Sequence, residues 1–363
     1  MPDSALFKRS IASFAIAFSA IIMVMGSSGE FSSADGRADG SGPESLQDKM
    51  AMAETAILSS HAVPYRLFPE AFSGKAARQD KPRMPFGPGI AASRDTGDKE
   101  AGLPARVPVL AGNQVLAFYG KPGAPSMGIL GEYSKETLAP ILEAYAKLYD
   151  EANGPMGVVP ALYLIYGTCW PEGEIGILKK DIVEAYIEFA GQKGWLVFLD
   201  HQLGKYGVEE SVKAMLPFLK YPNVHLAIDP EWRTLKPMQE IGSINGSELN
   251  NAQGLMDDYL NQNGLPGIRM LVVHQFKPSM IRESSVVRAD FDRVILVHTA
   301  DGFGIPEVKR NAYAMNVKSK NMPVKGFKLF FESKVPGAGW DKPLMLPSEV
   351  ISLEPMPLLI IYQ

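Results

Sequence analysis

The run Val224-His-Leu-Ala-Ile-Asp-Pro-Glu-Trp232 ends in two carboxylates, Asp229 and Glu231, spaced two residues apart. On a strand and its continuation, that spacing puts both on one face. Three more acids stand where apolar runs end: Asp200, Asp301 and Glu332. Carboxyl groups gathered across one pocket can hydrolyse a glycosidic bond. One protonates the leaving oxygen, and a second attacks the sugar or activates water. Glu231 is the candidate general acid/base, with Glu332 or Asp229 as its carboxylate partner. Asp200 and Asp301 compete for either role or orient substrate hydroxyls and water. The bland alternative pairs these acids with Lys328 or Arg233, or with backbone N–H groups. Several desolvated charges converging on one rim are costly unless function retains them.

Candidate substrate-binding groups occupy the same run ends: Tyr119, Tyr166, Trp170, His201, Gln202, Trp232, His274, Gln275, His298, Lys328 and Tyr362. Flat rings here, with Phe303 and Trp340, can stack on sugars, although aromatics also anchor loops. His201, His274 and His298 with Asp200, Asp229 and Asp301 offer another chemistry, a metal-dependent phosphodiester hydrolase or lyase. No His-x-His or His-Glu-x-x-His spacing supports that set, so no metal and no other cofactor is expected. A third reading is a barrel that binds a carbohydrate or envelope polymer without turning it over. Cys169 lacks the signature of a thiol nucleophile, and no Gly-x-Ser-x-Gly elbow or phosphate-binding glycine loop is present.

These groups need a scaffold that brings distant strand ends together. Eight apolar runs, 115–120, 158–166, 195–201, 224–229, 269–276, 294–298, 326–331 and 358–362, read as strands. Helical stretches alternate with them. Ser134 caps one that runs to about 151; others span 181–192 before Gly194, 208–219 before Pro222, and from Ser247 to Gly264. Further helices are expected near 278–284, 306–319 and 348–353. Strict alternation predicts an α/β fold, a closed (β/α)8 barrel of the TIM type with reactive groups at the C-terminal strand ends. A doubly wound sheet would carry a glycine-rich turn after its first strand. The eighth strand has no helix after it, so the segment before Val115 is expected to cover that gap.

The chain is 363 residues long, with room for one barrel of roughly 250 residues and an N-terminal extension. Residues 1–28 order a basic pair (Lys8, Arg9), an apolar stretch and small residues, the pattern of a signal peptide or N-terminal anchor. Export to the periplasm, the envelope or the medium is expected, with membrane attachment through this segment as one outcome. Residues 29–105 are rich in Gly, Ser, Ala and Pro and read as a flexible linker, with a short amphipathic helix near 45–61. Residues 106–363 form the barrel domain. With 36 basic and 40 acidic residues, the net charge of −4 offers no basic face for nucleic acid. A single cysteine excludes an intramolecular disulfide.

The succession Phe118-Tyr-Gly, Gly128-Ile-Leu-Gly-Glu, Val159-Pro-Ala-Leu, Phe198-Leu-Asp, His225-Leu-Ala-Ile-Asp-Pro-Glu, Val273-His-Gln-Phe, Asp301-Gly-Phe-Gly and Phe327-Lys-Leu-Phe resembles a group of exported bacterial proteins over about residues 115–363. That resemblance implies a secreted or envelope-attached barrel related at the fold level to glycoside hydrolases. It implies no catalytic residues, which rest on the rim acids alone. The expected partner is a carbohydrate polymer or oligosaccharide of the cell envelope or extracellular space.

Overall fold

All eight predicted runs form strands, and they pair in parallel: β1 (Asn113–Gly120), β2 (Gly157–Cys169), β3 (Leu196–Gln202), β4 (Val224–Asp229), β5 (Arg269–Gln275), β6 (Val294–Ala300), β7 (Val324–Leu329) and β8 (Leu359–Tyr362). Each strand pairs with the next, and β8 returns to β1 through Val115 beside Leu359 and Phe118 beside Tyr362, so the sheet closes. The computed structural model describes residues 108–363 except Lys334. The expected leader, linker, short helix and gap-covering segment therefore lie outside the described residues. Among these residues no helix is long and apolar enough to cross a membrane.

Strands buried on both faces read as continuous apolar runs. The inward set includes Ala117, Ala161, Tyr163, Phe198, Ala227, Val272, Val297 and Ile361. Small and large residues compensate: the three alanines leave room for Tyr163 and Phe198, whose rings stack at 4.9 Å and 11°. The alternate residues, such as Leu116, Leu162, Leu199, Leu226 and Leu271, face the helices. Period-two alternation thus assigns each strand residue to the axis or to the outer shell.

The outer shell comprises α1 (Lys135–Ala152), α2 (Lys180–Gln192), α3 (Val208–Met215), α4 (Gly246–Gln262), α5 (Pro306–Val317) and α6 (Pro347–Ile351). Ser134 caps α1 as expected, its hydroxyl accepting from Thr137 N at 3.2 Å. The cap of α4 is Asn245, two residues before the expected Ser247. Asn245 and Glu248 satisfy each other's backbone N–H groups in a capping box, both at 2.8 Å. The helix expected near 278–284 does not form; that connection holds two 3-10 turns, Pro278–Met280 and Ser284–Val286. Glu283 between them has φ 51°, a left-handed conformation that stops helical propagation. Tyr145 and Tyr149 of α1 pack with Phe118, Phe331 and Tyr362 in one aromatic cluster, and the Tyr149 and Tyr362 hydroxyls hydrogen-bond at 2.8 Å.

Candidate active site

Seven candidate residues lie on the inward register or just beyond it and converge at the C-terminal mouth: Tyr119, Gln202, Asp229, Glu231, Trp232, Asp301 and Lys328 line one cavity of about 160 Å³. Asp200 and His274 also point inward, one layer below the opening, and are fully buried. Glu332 reaches the outer lip of the cavity and remains exposed. The walls are largely apolar, with Met127, Ile129, Phe276, Phe303 and Phe330 around the acids.

The remaining candidates fall elsewhere, for reasons of strand parity. Tyr166, His201, Gln275, His298 and Tyr362 are next-door neighbours of inward residues and so face the helices. Tyr166 donates to Ala214 O at 3.3 Å, and its ring lies 6.3 Å from that of His201. His298 Nε2 meets Gln275 Oε1 at 2.7 Å, while its Nδ1 lies 3.1 Å from Lys325 Nζ. Trp170 sits on the rim under Lys121, 5.4 Å from its ring centre, and does not line the cavity. Because His201 and His298 face outward while His274 faces the axis, the three histidines cannot share a metal ion. Among the described residues no group of three or more His, Cys, Asp or Glu could hold one.

The buried charges form a connected network. His274 Nδ1 lies 3.0 and 2.9 Å from the two Asp301 carboxylate oxygens, and Nε2 is 2.7 Å from the Tyr163 hydroxyl. Lys328 Nζ lies 3.4 Å from Asp301 Oδ2 and 3.8 Å from the centre of the Tyr119 ring, a cation–π contact. Tyr119 donates to Asp200 Oδ2 at 2.8 Å, and the Trp232 indole donates to Asp229 Oδ2 at 3.1 Å. The other oxygens of Asp200 and Asp229 have no protein hydrogen-bond partner.

This arrangement splits the acids into two kinds. Burial pushes the Asp229 carboxyl up to about 7, with the nearby Asp200 and Asp301 charges adding to the effect. Burial and then the Asp229 charge raise Glu231 well above the usual carboxylate range, although its side chain still meets the cavity. Burial likewise raises Asp200, against the opposing pull of His274 and Lys328. For Asp301 burial acts in the same direction, but His274, Lys328 and the imidazole hydrogen bond outweigh it and hold the carboxyl below its ordinary value. His274 is the reciprocal case: burial disfavours its charge, and Asp301 and Asp200 restore it, raising the group overall. One cavity therefore holds Glu231, whose surroundings favour its protonated form, beside Asp301, whose surroundings favour its charge.

Three contributors escaped sequence reasoning. Tyr163 lies in the middle of an apolar strand, with no mark distinguishing it from core. Asp341 sits in a loop with no periodic signal. Lys309 carried one: it precedes Tyr313 by four residues, placing a lysine on the face that the helix buries.

The fold and site define a TIM-type (β/α)8 barrel with a carboxylate cluster at the mouth. No family model matches the sequence, and no curated protein matches it. Solved structures that match at low identity include carbohydrate-acting enzymes and concanavalin B. One is a GH138 enzyme targeting pectin rhamnogalacturonan II, at 13% identity over 69% of this chain with a TM-score of 0.35; this chain spans 34% of that enzyme's length. Others are an endo-beta-1,4-glucanase from Xanthomonas axonopodis pv. citri (11% identity, 60% of this chain and 79% of that one, TM-score 0.36) and GH26C from Muricauda sp. (10%, 70% and 80%, TM-score 0.35).

Proposed function

We propose that the protein hydrolyses a glycosidic bond, with Glu231 as general acid and Asp301, in place of Glu332 or Asp229, as the ionised carboxylate that attacks the sugar or activates water. One observation carries this reading: two carboxyl groups lining one cavity are pushed in opposite directions by their surroundings, which separates acid from base. Trp232 and Phe303 offer flat faces to a sugar ring, and Gln202 and Asp229 offer polar groups to its hydroxyls. Lys328 and His274 neutralise the Asp301 charge before substrate arrives, so the carboxylate needs no reorganisation during the reaction.

The substrate class is a polysaccharide or oligosaccharide met outside the cytoplasm. Support for export comes from the basic, apolar and small-residue order of residues 1–28, which also allows retention at a membrane. The test is release of reducing sugar by the full-length protein from a panel of bacterial and plant polysaccharides and aryl glycosides, run beside Glu231→Gln. Equal release by the two proteins rejects the acid assignment, and no release from any glycoside favours binding without turnover.

A further inference from the structure

The first turns of a helix are a poor place for a buried cation, because the helix dipole is positive there. Lys309 is the fourth residue of α5 and is 1% exposed. Burial pushes its ammonium below the usual lysine range. Its surroundings give the reason for its retention. Nζ donates to the carbonyl oxygens of Gly302 and Lys328 and lies 3.4 Å from Asp341 Oδ2. These carbonyls belong to the residue after Asp301 and to Lys328 itself, the two charged groups that meet in the cavity. Asp341 completes the knot: its oxygens accept Gly304 N at 3.0 Å and Phe330 N at 2.9 Å. The rings of Phe327 and Phe330 enclose the ammonium, each centred 5.0 Å away. One buried pair therefore ties the loop after β6, the end of β7 and the long connection to β8. Neither residue lines the cavity, so neither touches a substrate there.

We propose that Lys309 and Asp341 are positioning residues that hold Asp301 and Lys328 against each other at the barrel mouth. The functional weight of the proposal rests on reading Asp301 as the ionised carboxylate of a glycosidase, but its test does not need turnover. The groups whose charges bear on Asp301 are His274 from β5, Lys328 from β7, Asp200 from β3, Asp229 and Glu231 at the end of β4, and Lys309 from α5. Removing the Asp341 charge separates the two explanations by sign. Through charge alone, loss of a neighbouring anion makes Asp301 easier to ionise and lowers its midpoint. Through position, the contact with Lys328 loosens and the midpoint rises.

The experiment is a carboxyl carbon NMR titration of the full-length chain carrying labelled aspartate, with the Asp301 signal identified by its absence in Asp301→Asn. In Asp341→Asn the Asp301 midpoint should rise by about one unit, and the His274 midpoint should fall with it. The double variant Lys309→Met/Asp341→Asn also removes the Lys309 charge, which by itself holds the Asp301 carboxyl down. Its readout is therefore the Lys328–Asp301 contact, which should lengthen from 3.4 Å in a crystal structure; an unchanged contact overturns the proposal. The double variant also provides a folded protein if the single variant fails, because replacing both members of a buried pair is tolerated better than orphaning one. An unchanged or lowered Asp301 midpoint in folded Asp341→Asn likewise overturns the proposal and leaves the pair a purely structural tie. A raised midpoint together with no sugar release by wild type keeps the positioning role and rejects the glycosidase reading.

Discussion

His274 is clamped at both ring nitrogens, with Asp301 Oδ2 2.9 Å from Nδ1 and the Tyr163 hydroxyl 2.7 Å from Nε2. The three residues come from adjacent or facing strands of the closed sheet, and all point toward its axis. In this clamp the imidazole and the carboxylate each favour the other's charged form.

Asp301→Asn removes the anion that keeps His274 charged. The variant should lose most sugar release, and the His274 midpoint should drop, since burial alone pushes it down. Proton NMR of the imidazole checks the second effect. A His274 midpoint unchanged from wild type contradicts the electrostatic coupling described here.

Glu231→Gln keeps the shape of the side chain but has no proton to give the leaving group. Turnover should fall by roughly 10²–10⁴-fold, with the thermal midpoint at neutral pH equal to or above that of wild type. An aryl glycoside whose leaving group needs no proton should recover much of the loss. Failure of that recovery argues against a general-acid role.

The mouth acids should contribute less stability as pH rises from about 4 to 8, opposed by the buried His201, His225 and His298, whose depressed values favour folding as pH rises through the unfolded histidine range. Asp229, raised to about 7, and the raised Glu231 and Asp200 bind protons more tightly folded than unfolded, so folding is favoured at low pH and weakened as these groups ionise. His274 acts in the same sense: its stabilisation is complete below the unfolded histidine value and is lost as pH passes its raised folded value. Asp301 opposes them, contributing stability above the unfolded aspartate value that disappears as pH falls through its depressed folded value. Thermal melts of wild type and Asp229→Asn across this range isolate the Asp229 share: the variant should gain stability relative to wild type as pH rises through about 7.

Gly128 has φ 80°, and a Cβ there would stand 2.5 Å from Tyr119 O. Gly128→Ala should cost about 1–3 kcal/mol, measured by denaturant unfolding. It should also displace Met127 and Ile129, which wall the cavity beside Tyr119. A variant as stable as wild type would show that this turn can relax freely.

Much of the barrel was legible because parallel strands under helices are apolar on both faces, and each run stands out between helical stretches with recognisable caps. Val224–Asp229 was read to the residue. The site was half legible. Adjacent pairs such as Asp200 with His201, or His274 with Gln275, entered as joint candidates, although consecutive strand residues must point to opposite faces. Applying that alternation divides them as the structure does, once the inward register is fixed by Asp229 on β4.

What the sequence determined by itself is the succession of eight buried strands and the placement of acids at their ends, since hydrophobic periodicity and capping are local properties of the chain. Tertiary structure alone decided which acid is pushed toward its protonated form and which toward its charge. That depends on charges from other strands, His274 and Lys328 around Asp301 and Asp229 beside Glu231. It depends equally on the removal of water from all of them when the sheet closes.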